Sequence, residues 1–498
     1  MKRPWVWTTA PLWVLCWVCW AGGSSAADPG PGAPRVDFNG DRVINFRDFA
    51  RLAPSWRRAD ASVDVAPSAP DGLIDFRDLS VLAGYWLQEI PQPIYLTWIR
   101  HAGVRIAWGD KVIYVDPYLI PGTPAKDATL ILVTHNHYDH YSPSDIDKVA
   151  TPRTPLVGPA DVVNAHGSGQ VLLPGQTIEV DGLPVTGVAA YNVSTAYHPK
   201  ANNWLGFLIQ FGAKRVYLAG DTDLTDEMKA LKNIDVAFLP AGGTYTMDAA
   251  GAAEATKYLQ PGLAIPYHWG EIVGTLADAQ RFARLAACNA KVMSNGEVLS
   301  SDDWQKDFSI VAHWKLDETQ GAVARDSAGN YDGTLAGGPV WQPAGGRVAG
   351  ALGLDGVDDC LKTPLVLNPS EGPFSVFAWV KGGAPGQVIL SQMGGANWLM
   401  AGTAGALMTQ LKDSGRKSRD LVSQKVITDG QWHRVGLTWD GSNRVLLVDG
   451  AEVARDTQGT PIGAAGGLYL GAGAGLGPGS FWSGLLDDVY LHRRAVRP

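Results

Sequence analysis

Three of the ten histidines in this 498-residue chain fall within six positions, in His135-Asn136-His137-Tyr138-Asp139-His140, directly after the apolar run Thr129–Val133. Neutral imidazoles and a carboxylate at that density have one economical explanation, a metal site with His and Asp ligands. A His-rich surface turn is the plain alternative. The motif constrains the fold severely, because it supplies too few ligands for a catalytic centre and distant parts of the chain must complete it. Three residues are placed to do so. His198 precedes the β-type run Leu205–Phe211, Asp221 follows the strand-like Arg215–Ala219, and His268 ends the run Leu263–His268. Ligands emerging from strand ends into one crevice are the usual arrangement in open α/β sheets.

The surrounding pattern agrees. Ile94–Trp98, Val104–Trp108 and Lys111–Val115 read as a strand meander and Val236–Leu239 as a later strand, while Ala249–Leu259 and Leu276–Ala287 carry helical spacing of apolar residues. Sheets with helices outside predict a layered α/β domain over 94–300. The ordered ligand set with its flanks resembles the metallo-β-lactamase fold superfamily over nearly all of that segment. His135-Asn-His-Tyr-Asp-His140 and Ala219-Gly-Asp-Thr-Asp223 carry a closer resemblance to its lactonase-like and N-acylphosphatidylethanolamine phospholipase D-like groups.

That resemblance implies an αββα fold in which His135, His137 and His198 hold one metal, Asp139, His140 and His268 hold a second, and Asp221 bridges them. Zn²⁺ is the default from ligand type, with Mn²⁺ or Fe open. Two cations about 3.5–4 Å apart polarise a substrate oxygen and lower the pKa of a bridging water toward about 7, so a hydroxide is the expected nucleophile and no Ser or Cys is needed. Asp139 and Asp221 are the catalytic carboxylates, Asp139 orienting that water as well as ligating. Around them, His101 is either an orienting partner of a ligand or a buried structural histidine. Asp116-Pro117 supports the metal loop, and Tyr191, Asn192 and Lys200 line the pocket. His166, His313, His433 and His492 read as structural or solvated.

Upstream, Lys2 and Arg3 lead into an apolar, Trp-rich stretch from Trp5 to Trp20 and then small residues to Ala27. This is the three-part pattern of a secretory signal peptide over 1–27, and its apolar core is short for a membrane span. Residues 28–34 read as a linker. Over 35–90, two segments share Ile-(Asn/Asp)-Phe-Arg-Asp-(Phe/Leu), an internal repeat. Oxygen ligands at loop positions 1, 3, 5, 9 and 12, with the backbone carbonyl of position 7, suit Ca²⁺. The first loop offers Asp37, Asn39, Asp41, Val43, Asn45 and Asp48. The second offers Asp71, Leu73, Asp75 and Asp78, but Pro67 and Ala69 break its register unless an insertion brings in Asp64. The pair resembles a dockerin, a small α-helical Ca²⁺-loop module, which implies a cohesin-type protein partner.

The 59 glycines concentrate toward the C-terminus. Beyond a polar seam at 301–307, residues 309–498 alternate apolar and polar between glycine-rich turns, as an all-β sandwich does. Trp432–Asp440 and Val445–Gly450 read as two strands joined at a turn. With His313–Glu318, Leu354–Asp359 and Leu485–Tyr490 they resemble the laminin-G-like, concanavalin A-type jelly-roll family, which implies a glycan or Ca²⁺ as ligand without assigning a residue to it. Cys288 and Cys360 fall in different modules and make no disulfide framework. A net charge of −8 gives no footprint for nucleic acid, and no stretch beyond the signal peptide is long enough to span a membrane.

The expectation is a multidomain protein, secreted or periplasmic, in which Ca²⁺-loop and lectin-like modules target a dinuclear hydrolase of phosphodiesters or lactones and esters. The alternative is a carbohydrate-binding or scaffold protein with an inactive central domain.

Overall fold

The computed structural model describes residues 36–38, 43–60, 62–65, 73–87, 92–415 and 419–496. The expected signal peptide and the loop residues Asn39, Asp41 and Asp71 lie outside these. The described residues fall into two compact units, one holding those up to Tyr95 with Trp108–Asp110 and Ser300–Asp302, the other Leu96–Ala107, Lys111–Leu299 and Asp303 onward.

The first unit carries two short helices, α1 (Phe46–Leu52) and α2 (Phe76–Gly84), which belong to the sequence repeat. Both open on a reciprocal capping box. Asp48 Oδ2 accepts the Asn45 N–H at 2.8 Å and Asp78 Oδ2 accepts the Asp75 N–H at 2.9 Å, while Asn45 and Asp75 accept N–H groups of the first helical turns. The residues at loop positions 9 and 12 therefore do the work of helix caps in the described structure. Val36, Ile44, Leu52, Val63, Ile74 and Leu82 form the small core.

The hydrolase region, nearly all of it in the second unit, is built on two sheets. β1 (Ile94–Arg100), β2 (Gly103–Trp108), β3 (Lys111–Val115), β4 (Leu130–Leu132), β5 (Leu156–Gly158) and β6 (Gln170–Val171) pair in that order in the first. The second sheet runs from β7 (Thr177–Val180) through β8 (Leu183–Ala189), β9 (Leu205–Phe211), β10 (Lys214–Leu218) and β11 (Val236–Pro240) to β12 (Leu263–Tyr267). A last strand, β13 (Val298–Ser300), returns to the first sheet beside β1. Strands β3 to β6 are parallel, as are β10 to β12. Parallel strands covered on both faces must be apolar throughout, and Val-Ala-Phe-Leu-Pro in β11 and Leu-Ala-Ile-Pro-Tyr in β12 are buried at every position.

Helices α3 (Pro143–Val149) and α4 (Ala160–His166) pack Ile146, Val149 and Val162 against Ile131 and Val133 of the first sheet region. After α5 (Asp226–Ala230), helices α6 (Ala249–Leu259) and α7 (Leu276–Leu285) cover the second sheet with Ala252, Leu259 and Phe282. The helix expected to reach Ala287 stops at Leu285. Ala286 turns extended, and residues 289–291 then pair with Ala264 at the end of the second sheet, with Asn289 Nδ2 donating to the Lys306 carbonyl at 2.6 Å.

From Ile310 onward the chain forms two eight-stranded antiparallel sheets packed around Trp314, Trp398, Trp439, Trp482 and Phe374. The long strand Ser483–His492 lies between Phe374–Gly382 and Ala351–Asp355, and His433–Trp439 pairs with Asn443–Val448 in the expected hairpin. Cys288 and Cys360 are both free. No helix among the described residues is long and apolar enough to cross a membrane.

Candidate metal centre

The two sheets contribute to one cluster. From the first come His101, in the β1–β2 turn, and the His135–His140 loop after β4. The second gives His198 in the β8–β9 connection, Asp221 after β10 and His268 after β12. Of His101, His135, His137, Asp139, His140, His198, Asp221 and His268, all except His137 are buried. Local backbone is bent to bring them in. His101, Asp116 and His268 adopt left-handed conformations at φ 48°, 45° and 57°, which His and Asp tolerate better than most residues but which still cost energy that the surrounding structure must hold.

One ligand group comprises His135, His137 and His198, another His101, Asp139, His140 and His268, and a third, His135, His140 and Asp221, joins them. His135 Nε2 and His137 Nδ1 are 3.0 Å apart. Asp221 lies between the two sides: Oδ1 is 3.3 Å from His140 Nε2, and Oδ2 is 3.3 Å from His198 Nε2 and 3.1 Å from His268 Nε2. Asp139 Oδ2 is 3.1 Å from His101 Nε2, 3.6 Å from His140 Nε2 and 3.8 Å from His268 Nε2. The structure thus brings all seven expected ligands together and adds His101 as the partner of Asp139.

The far sides of the imidazoles are pinned. Asp116 Oδ2 meets His140 Nδ1 at 2.8 Å, and Thr134 binds Asp116 twice, through its N–H at 2.8 Å and its hydroxyl at 2.7 Å. The same hydroxyl is 3.0 Å from His135 Nδ1. Asn192 Oδ1 meets His198 Nδ1 at 2.9 Å and accepts the His198 N–H at 2.9 Å. Such partners fix ring orientation and tautomer. Trp204 packs its ring 4.8 Å from both His135 and His137. Gly220 permits the two sheets to meet beside Asp221, since a Cβ there would stand 2.5 Å from the Leu205 carbonyl and 3.3 Å from Thr134 Cβ. The Leu205 N–H also donates to the Thr134 carbonyl at 3.1 Å.

Electrostatics follow from burial and from these pairings. Burial drives the His135 imidazole well below its usual range and lowers that of His101 to about 4, so both are neutral at neutral pH. At His140 burial also opposes charge, but the Asp221 and Asp116 carboxylates outweigh it and raise the group well above its usual value. Asp221 shows the converse, its charge opposed by burial and held on by His268 and His140.

A cation fits this donor set. His140 Nε2, His198 Nε2, both ring nitrogens of His268 and Asp221 Oδ1 are buried with no hydrogen-bond partner among the described residues. A buried polar group left unpaired costs about 1–3 kcal/mol, and imidazole nitrogens with carboxylate oxygens are what divalent transition metals accept.

Asp116 occupies the supporting role expected of it; Asn192, expected to line the pocket, instead holds His198, and Lys200 does not line this centre. Its ammonium pairs with Glu227 at 2.7 Å and lies over the Tyr191 ring, beside a neighbouring cleft of about 400 Å³ that none of the seven ligand candidates lines. Thr134 and Trp204 escaped sequence reading. A threonine beside a histidine motif carries no signal of its own, and Trp204 is one of 19 tryptophans.

Two regions of the chain are similar to known proteins. Residues 95–268 match the model of the β-lactamase superfamily domain, and residues 355–498 that of the concanavalin A-like lectin/glucanases superfamily. A UPF0173 metal-dependent hydrolase of Thermoplasma acidophilum is 36% identical over 205 residues, covering 38% of this chain and 90% of the relative. One from Symbiobacterium thermophilum is 34% identical, covering 38% of this chain and 89% of the relative. Among solved structures, a metallo hydrolase of Ignicoccus hospitalis is 25% identical over 42% of this chain and 98% of its own, with a TM-score of 0.35. The chain belongs to the UPF0173 metal-dependent hydrolases of the β-lactamase superfamily, with a concanavalin A-like region added behind the hydrolase.

Proposed function

We propose that the centre is dinuclear, holding two divalent transition metals, Zn²⁺ by default and Mn²⁺ or Fe as alternatives, and that it hydrolyses a phosphodiester or a lactone or ester outside the cytoplasm. The observation that carries this reading is the place of Asp221, whose two oxygens lie within 3.3 Å of histidines from both ligand groups. Bound there, a metal pair supplies Lewis acidity and a water of lowered pKa. The protein's own contribution is arrangement. His101 holds Asp139 with one oxygen aimed at the cluster, Asp116 and Asn192 fix His140 and His198, and Trp204 shields the His135–His137 side from water. Tyr118 with Tyr138, and Tyr197 with Tyr245, form edge-to-face pairs beside the ligand loops, and Tyr138, Tyr197 and Tyr245 are exposed. They offer a surface to the organic part of a substrate.

The flanking regions serve targeting in this proposal. The N-terminal repeat binds Ca²⁺ and docks on a cohesin-type protein. The sandwich takes a glycan, a reading supported by a groove of about 610 Å³ whose lining includes Gln392, Asn397 and Gln410 among several glycines. Amides donate and accept, as sugar hydroxyls require.

The test is hydrolysis of a phosphodiester and a simple lactone, side by side, by the metal-loaded full chain, before and after EDTA and after metal is restored. Turnover that returns with two equivalents of metal supports the proposal, and the preferred substrate chooses between its two forms. Absence of metal binding would give the ground to the scaffold alternative.

A further inference from the structure

Arginines of the second unit are treated in two ways. Arg444 is fully buried and bonded at every guanidinium nitrogen, with Asp456 on one side and the carbonyls of Leu411 and Arg419 on the other. Arg284, in the last turn of α7, and Arg493, just past the final strand of the sandwich, are different. The Nε of each is buried without a hydrogen-bond partner, and neither guanidinium has an ion pair among the described residues. Both line one cavity of about 270 Å³ between the hydrolase helix and the sandwich, with Gln280, Tyr331 and Asn368. The glycine at 372 lets Arg284 reach it, because a Cβ there would stand 3.0 Å from Arg284 Cδ and Nε. Burial depresses the pKa of both arginines, and at Arg284 the charge of Arg493 adds to this, against Glu371. Glu371 also lines the cavity, but it is exposed and accepts from Asn368 Nδ2 at 3.3 Å.

The geometry points to a tetrahedral oxyanion, phosphate or sulfate, as the ligand of this cavity, held by Arg284 and Arg493 and so clamping the hydrolase to the sandwich. Two forked donors from different parts of the chain suit several acceptor oxygens on one small ion, and guanidinium binds such oxygens in pairs. At about 30 Å³ per water, the cavity has room for the ion and some of its hydration shell. The inference does not depend on the proposed hydrolytic substrate. The oxyanion is either free or carried as a sulfate ester on a glycan.

The experiment titrates the metal-loaded full chain with sulfate in chloride buffer, by calorimetry and by Tm, beside R284Q and R493Q. The expected result is one saturable sulfate site, weakened about ten- to hundredfold in either variant, with a rise in Tm that the variants lack. Sulfate stabilises any protein at high concentration by exclusion, so the difference between native chain and variant is the readout. Both variants are expected to fold, since each replaces a half-buried guanidinium that has no ion pair among the described residues with a neutral amide; circular dichroism and bound metal check this. Equal isotherms for native chain and variants, or no saturable binding by the native chain, would overturn the site. Glucose 6-sulfate beside glucose sorts the source. Binding tighter than free sulfate and lost in R493Q assigns a glycan-borne sulfate, and binding no tighter than sulfate assigns the free ion.

Discussion

His140 in the hydrolase and His433 in the sandwich are both buried, and each meets an aspartate at Nδ1 at 2.8 Å. They part at the other nitrogen. His433 Nε2 meets Asp429 at 3.1 Å, whereas His140 Nε2 has no hydrogen-bond partner among the described residues. At His433 the sandwich closes a buried imidazole on its neighbours, whereas at His140 the hydrolase anchors one end and leaves the other open toward a point shared with other ligands. Anchoring alone does not mark a site. Several anchored ligand groups left open toward one point do.

The largest expected effect breaks the open side. D221A removes the carboxylate shared by both ligand groups, so turnover should fall to background while far-UV circular dichroism stays native. Full activity in D221A would remove the centre from the chemistry. On the closed side, R444A strands two carbonyls and the Asp456 carboxylate. It should cost the sandwich about 3 kcal/mol, the low end for a broken buried pair, because the Asp456 side chain is one-third exposed. The urea midpoint reads this, and bound metal should not change.

Asp487, one of several sandwich side chains with a buried atom lacking a hydrogen-bond partner, sharpens the comparison. It lies in the sandwich with Oδ1 unpartnered and Oδ2 accepting the Arg347 and Val348 N–H groups, and burial raises its pKa to about 6. The folded state then holds this proton more tightly than the unfolded chain, whose carboxyl titrates near 3.9. The sandwich should therefore lose stability as pH rises from about 4 through about 6, by roughly 2–3 kcal/mol from this group. D487N should flatten that slope in pH-dependent urea titrations; an unchanged slope would assign it to other groups. The smallest effect is N192A. It frees His198 Nδ1 and should weaken metal binding about 10- to 100-fold, measured by chelator competition.

Much of this centre was legible because its ligands sit at the ends of short apolar runs, where residue type and position point to the same role. His135, His137, Asp139 and His140 come as one word, and His198, Asp221 and His268 each adjoin a recognisable strand. The supports were less legible. Thr134 binds Asp116 across 18 residues, and Asn192 reaches His198 across six, contacts set by how loops fold back rather than by local pattern. His101 had two readings, and only the distance to Asp139 separates them. In the N-terminal repeat a different ambiguity operates, since an Asn or Asp three residues before another Asp spells a helix cap as well as a Ca²⁺ loop. Arg284 and Arg493 had no sequence signal, because a missing partner is visible only once the neighbours are in place.

The meeting of the sheets at Gly220 has a consequence for assembly. His135, His137, Asp139 and His140 belong to one sheet and His198, Asp221 and His268 to the other, so neither half can hold a cation in the native way alone. Any ion bound across that line is a rivet set after the halves have closed, and it adds stability only to the closed form. Metal supply would then govern how long the folded hydrolase survives as well as whether it turns over.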